Sequence, residues 1–207
     1  MKTNVTRYSR SVVGLVLLIA CSLALQAAAP TGWFLAGSKR ASYETGTDAQ
    51  VAYDGHPSAY LKSKEPVSNG FGTLMQEFRA DKYAGKRLRF SAFVKSDGVQ
   101  DWAGLWMRVH KGVNDIRDLS NSGVVAFDNM EDRPIKGTTG WRNYEVVLDV
   151  PQEAPGIAFG VLLSGSGTIW LDSVKFEVVG SDVPTTGENP KRSQLPDGPA
   201  NLSFENP

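Results

Sequence analysis

Short runs of alternating apolar and polar residues, separated roughly every 10–15 residues by glycine, proline, asparagine or aspartate, most limit what this chain can fold into. The clearest run is RLRFSAFVKS. A period of two puts Leu88, Phe90, Ala92 and Val94 on one side and Arg87, Arg89, Ser91, Phe93 and Lys95 on the other. AGLWMRV repeats the pattern, with Ala103, Leu105, Met107 and Val109 facing a core and Trp106 and Arg108 facing away. NYEVVLDV groups Tyr144, Val146 and Leu148, and GIAFGVLLSG groups Ile157, Phe159, Val161 and Leu163, with Gly160 admitting a neighbouring backbone. TIWLDSVKFEVV is the closing run, with a bend or bulge expected near Asp172. GWFLAG, QVAYD, SAYLKS and GTLMQEF read as four shorter strands, two of them separated by the turn DGHP, Asp54 to Pro57. Roughly nine strands with scarcely a helix signal predict an all-β, two-sheet jelly-roll sandwich.

The ends of the chain read differently. Lys2, Arg7 and Arg10 precede an almost wholly apolar stretch, Val12 to Leu25, and then QAAAP. That order is an export signal, residues 1–29, with cleavage near Ala27–Ala29. The apolar run is short of the ~20 residues of a membrane span. LIAC, Leu18 to Cys21, offers a second reading: a lipoprotein signal over residues 1–20, with Cys21 carrying the lipid. Both readings place the mature chain in the periplasm or outside the cell, without disulfides and without a transmembrane helix. Pro30 to Val179 forms the sandwich domain, a size that supports one sizeable core. Residues 180–200, GSDVPTTGENPKRSQLPDGPA, read as a strap with little to bury. Residues 201–207, NLSFENP, alternate again like a strand.

Once the three basic leader residues are set aside, 19 basic face 22 acidic residues, a balance of −3. Nucleic acid is therefore not an expected partner. The mature chain has two histidines, His56 in the DGHP turn and His110 at a strand end facing solvent, and it shows no G-x-S-x-G, no H-E-x-x-H and no cysteine nucleophile. SGSG, Ser164 to Gly167, is a tight turn rather than a phosphate loop. Carboxylates do occur close together, as in Asp128, Glu131 and Asp132 or Glu145 and Asp149, which keeps a cryptic glycoside hydrolase among the readings. Binding has the better support. Sugars stack on aromatic rings and hydrogen-bond to planar polar groups. The outward faces of two strands offer Arg89, Phe93, Trp106 and Arg108, with Trp102 and His110 flanking. Trp106 packed under a loop is the plainer alternative. Asp128, Asn129 and Arg133 line a cleft rim, or else Asp128 and Arg133 pair and hold their loop. Trp141 and Trp170 are assigned to packing.

GKRLRFSAFVKS, GTTGWRNYEVVLDVP and GTIWLDSVKFEVV, in that order, resemble the strands of jelly-roll carbohydrate-binding modules and the wider galactose-binding-like sandwiches. The likeness spans residues 30–179. FDNMEDRPIKGTTGW is similar to a subgroup found alone or attached to secreted hydrolases and helix-turn-helix regulators, although this chain shows no DNA-binding helix pair. Members of the group open with an Asn-Leu-x-Phe-Glu strand ahead of a Pro and Gly-Trp. Here Pro30 and Gly32-Trp33 stand at the start, while NLSFENP stands at the end. The resemblance thus implies a sandwich permuted by one strand, with residues 201–207 completing it. It implies a non-catalytic module whose partner is a carbohydrate or another envelope component; a structural or protein-interaction domain is the alternative. It also implies a structural calcium ion held by Asp172 and Glu205, with Ser173 departing from the usual second aspartate.

Overall fold

The computed structural model describes residues 28–111 and 123–187. They form nine strands: β1 (Phe34–Ala36), β2 (Tyr43–Asp48), β3 (Ser58–Ser63), β4 (Phe71–Arg79), β5 (Lys86–Lys111), β6 (Gly123–Asp128), β7 (Ile135–Val150), β8 (Gly156–Ser164) and β9 (Thr168–Val179). The leader, Cys21 and the 201–207 strand lie outside the described residues, and so does the permutation that strand would establish.

The strands make a two-layer sandwich. One layer runs β2-β3-β9-β5-β7 and uses the first half of β5, where Phe90 lies opposite Val146 on one side and Phe176 on the other. The second runs β1-β4-β8-β5-β6 and uses the latter half, where Met107 lies between Phe159 and Asp128. Both layers therefore share one strand of 26 residues. The runs RLRFSAFVKS and AGLWMRV, expected as separate strands, belong to this single element. Between them the backbone stays extended and pairs with β7 through shifts of register between Val94 and Ala103.

Two more expectations change. Gln50 to Asp54 is not a strand, because Asp48 accepts hydrogen bonds from the Gln50 and Val51 N–H groups and rolls the chain into a turn; the strand is the more polar Tyr43–Asp48. Gly123–Asp128, where no strand is expected, is an edge strand. SAYLKS, GTLMQEF and the closing run stand where expected, and β9 does break register at Asp172, where Ser173 takes a positive φ of 50°. DGHP is an exposed turn, with Asp54 accepting the His56 N–H at 3.2 Å.

The inward residues are the predicted ones. Leu88, Phe90, Ala92, Val94, Ala103, Leu105, Met107, Val109, Val146, Leu148, Ile157, Phe159, Val161 and Leu163 are all buried, and Tyr144 is half-buried against them. Phe159 is their hub: it meets Trp33, Phe78, Phe90 and Phe176 edge-on at 5.4, 5.6, 5.2 and 4.8 Å. At Gly160 a β-carbon would lie 2.3 Å from the Leu74 carbonyl oxygen, so glycine is what lets β4 close against β8.

The strap begins in an ordered way. The Thr186 N–H donates to the Val147 carbonyl at 2.9 Å, and the Val147 N–H donates to Thr186 Oγ1 at 2.8 Å. Residues up to Gly187 thus lie in the seam between β6 and β7, the free edges of the two layers. A β-carbon on Gly187 would meet the Phe127 carbonyl at 2.6 Å. Val147, on an outward position of β7, is buried beneath this segment.

Candidate functional site

The strand shared by both layers splits the predicted binding residues. Arg89 and Phe93 stand on the outer face of the first layer; Trp106 and Arg108 stand on the outer face of the second, on the opposite side of the sandwich. They do not form one cluster. Arg89 is spent on its neighbours, with Nε 3.1 Å from Glu145 and Nη1 3.8 Å from Glu177. Phe93 is capped by Tyr53, whose ring stacks on it at 3.6 Å, and Trp141 meets Tyr53 edge-on at 5.9 Å. Trp170, assigned to packing, lies outward between buried Ile169 and Leu171; its indole N–H donates to Asp48 and Lys95 rests over its ring at 5.6 Å.

Both readings of the Asp128 loop have an observation behind them: Asp128 and Asn129 line a cleft of about 380 Å³ with Glu131, Asp132 and Thr186, and Asp128 and Arg133 pair and hold the loop. Asp128 is buried and accepts from Arg133 Nη2 at 2.5 Å and Nη1 at 3.2 Å, from Thr186 Oγ1 at 2.5 Å and from the Met130 N–H at 2.8 Å. Burial pushes this carboxyl up, but the bonds from Arg133, Thr186 and Met130 outweigh it and hold the group below the ordinary aspartate value. Arg133 also reaches Asp132 at 2.8 Å and the Glu145 carbonyl at 3.1 Å. Asn129 accepts the Glu131 N–H at 3.1 Å, a local turn bond. The other carboxylate pair is consumed too, since Asp149 binds Arg87 through both oxygens at 2.7 and 2.9 Å.

The second layer's outer face carries a groove of about 260 Å³. Its floor is Trp106, with Thr73, Met75 and Leu162. Its rim is Phe71 on one side and Phe127 on the other, and Arg108 lines one end. Trp106 was expected as an outward ring. It does face outward, but only 7% of it is exposed, because Met75 and Leu162 from β4 and β8 pack on it. Its indole N–H donates to Thr73 Oγ1 at 2.7 Å, and Thr73 in turn donates to the Val161 carbonyl, so the ring is fixed in the floor. The freely exposed ring is Phe127, at 45%. Sequence reasoning missed it because no strand is expected over VVAFD; its own alternation was the available signal.

Arg108 stands apart from the other arginines discussed. Among the described residues it takes part in no ion pair; its Nε is buried without a hydrogen-bond partner, as is that of Arg89, but Arg89 has Glu145 and Glu177 beside it. His110 is two residues further along the same face. It was expected to face solvent but is 1% exposed. Burial first, and the Arg108 charge second, press its pKa down from 6.5 to about 4. Because the unfolded chain binds this proton at higher pH than the folded one, stability should fall as pH drops from about 6.5 towards 4, by roughly 3 kcal/mol at most. Urea titrations at pH 7 and pH 4.5 check this, and His110→Gln should flatten the difference.

Of the two expected calcium ligands, only Asp172 is among the described residues. One oxygen accepts the Tyr53 N–H at 3.0 Å and the other the Ser173 N–H at 2.6 Å, while Glu205 lies outside the described residues. Among the described residues no group of three or more histidine, cysteine or carboxylate side chains is placed to hold a metal ion. No described helix is long and apolar enough to cross a membrane.

No family model matches the chain. Over 176 residues it is 49% identical to a Bacillus subtilis protein named as an uncharacterized HTH-type transcriptional regulator, YbfP; the match takes in 84% of this chain and 56% of that protein. The chain thus spans little more than half the length of this relative. Among solved structures it is similar to the CBM22-1 xylan-binding domain from Paenibacillus barcinonensis Xyn10C, with a TM-score of 0.50 and 14% identity, over 75% of this chain and 91% of that domain. It is also similar to the enzymatically active domain of bacteriophage CBA120 tailspike protein 4, with a TM-score of 0.50 and 16% identity, over 72% of this chain and 20% of that one. What is shared at such identities is the fold, the β-sandwich of carbohydrate-binding modules.

Proposed function

We propose that this chain is an exported, non-catalytic module that binds carbohydrate in the groove of its second layer. The observation that carries the reading is the groove itself, in which an orientation-locked indole forms the floor, an exposed phenyl ring forms the rim and a guanidinium with no ion pair among the described residues stands at one end. Aromatic surface receives the apolar face of a sugar ring, and the guanidinium donates to its oxygens. The fold supports this, since a xylan-binding domain is built on the same sandwich. Of the carboxylates considered for a hydrolase, Asp128, Asp132, Glu145 and Asp149 each pair with an arginine, which favours binding over catalysis.

Affinity electrophoresis through a panel of polysaccharides tests the reading. Phe127 is exposed, so Phe127→Ala should leave the melting temperature unchanged while weakening glycan binding by about tenfold, the equivalent of ~1.4 kcal/mol. If the unmodified chain is retarded by none of the panel, the reading fails. Export is checked by the mass of the mature N-terminus, which also separates cleavage near Ala29 from lipidation at Cys21.

A second reading has one observation in its favour. Val124, Val125 and Phe127 of the edge strand β6 are 49%, 41% and 45% exposed, a surface suited to another envelope protein. Co-purification with envelope proteins that survives saturating glycan and is abolished by Val125→Lys would favour it.

A further inference from the structure

We infer that the groove reads an acidic sugar, with Arg108 binding the carboxylate of a uronic acid residue. This rests on the carbohydrate reading and names the substrate class for the same groove.

Among the described residues, Arg108 is a groove arginine with no carboxylate in ion-pair contact. Arg79, Arg87, Arg89 and Arg133 each pair with at least one carboxylate. The buried Nε of Arg108 is left without an acceptor among the described residues. A buried donor without a partner is costly, and an arginine left this way at a groove is completed by an anion from outside. A guanidinium offers a planar fork of donors matched to a carboxylate, and its single charge is balanced by a monoanion.

Among the described residues, two ionisable groups, Glu77 and His110, lie beside Arg108. Glu77 of β4 shares its cross-strand row, since both residues lie opposite Ala158 of β8. Their backbones are two strand spacings apart, ~9.5 Å, and no ion pair joins them within 4.0 Å. Burial raises the Glu77 carboxyl and the Arg108 charge lowers it, so the two attract across Ala158 without hydrogen-bonding, and the donors of the fork are not taken by Glu77. His110, the other neighbour, is neutral at physiological pH, so among the described residues the positive charge at this end of the groove is that of Arg108. Trp106 and Phe127 then take the apolar face of the ring that carries the acid.

Calorimetric titration of the full chain tests this with an oligogalacturonide, with a glucuronate-substituted xylo-oligosaccharide, and with each after reduction of its carboxylates to primary alcohols. At least one acid form should bind ten-fold or more tighter than its reduced form, and the advantage should shrink at high salt. Arg108→Gln should erase it, Arg108→Lys should retain part of it through charge without the fork, and Glu77→Gln should enlarge it severalfold by removing a like charge. The salt and reduction comparisons use the unmodified protein, so they hold even if an Arg108 variant misfolds. Equal binding of acid and reduced forms overturns the acidic assignment and leaves the carbohydrate reading standing. Tighter binding of a sugar phosphate than of either uronate overturns the carboxylate. No binding of any form, together with no retardation by the polysaccharide panel, removes both.

Discussion

Asp128→Ala should unfold the chain at markedly lower denaturant, costing about 3–5 kcal/mol, although the residue touches no part of the hydrophobic groove floor. The carboxylate serves three elements at once. It pairs with Arg133, receives the Met130 N–H at the turn after β6, and receives the Thr186 hydroxyl of the strap. Removing it leaves the Arg133 guanidinium, itself only 32% exposed at the side chain, without its main counter-charge. It also leaves Met130 in a left-handed conformation with φ 62° and one hydrogen bond fewer to hold it there. Beyond the lower midpoint, hydrogen exchange should quicken selectively at the amides of Met130, Val147 and Thr186. The carboxyl titrates below its ordinary value, so its contribution is whole above pH ~4 and disappears as pH falls through the lower folded value. This acid loss lies below the window in which His110 acts.

Phe159→Ala should cost about 3–5 kcal/mol and lower the melting temperature by about 10 °C. The phenyl ring is buried at the centre of the sandwich and meets four other rings edge-on. Its removal opens a cavity bounded by Phe90 and Phe176, which stack on each other at 5.2 Å and cannot both lean into the space without losing that contact. Phe159→Leu should recover about half of the loss. Thermal unfolding followed by circular dichroism measures both.

The layer architecture and the inward residues could be read from sequence because each strand has one buried and one open face. Alternation of Leu88, Phe90, Ala92 and Val94 with arginine and lysine is a direct record of that asymmetry. The same rule failed wherever side chains overrode it. Gln50 to Tyr53 alternates convincingly, yet the Asp48 carboxylate captures its N–H groups and turns it. The candidate site was harder to read. Strand parity places Arg89, Phe93, Trp106 and Arg108 outward, and all four are outward; parity says nothing about which layer a residue joins. Only the crossing of β5 decides that, and it sends Arg89 and Phe93 to one side of the molecule and Trp106 and Arg108 to the other. Partners were equally hidden: nothing local announces that Arg89 will meet Glu177 while Arg108 forms no ion pair among the described residues.

A strand that belongs to both layers also fixes how the domain can come apart. β5 hydrogen-bonds to β6, β7, β8 and β9. Neither layer can melt alone, because loss of either one strips half of the strand that anchors the other. Unfolding should therefore be a single cooperative event reported alike by the Trp106 and Trp170 environments. Folding must wait for pairings between distant parts of the chain, such as Arg87 with Val179, which places it among slow, millisecond-to-second folders.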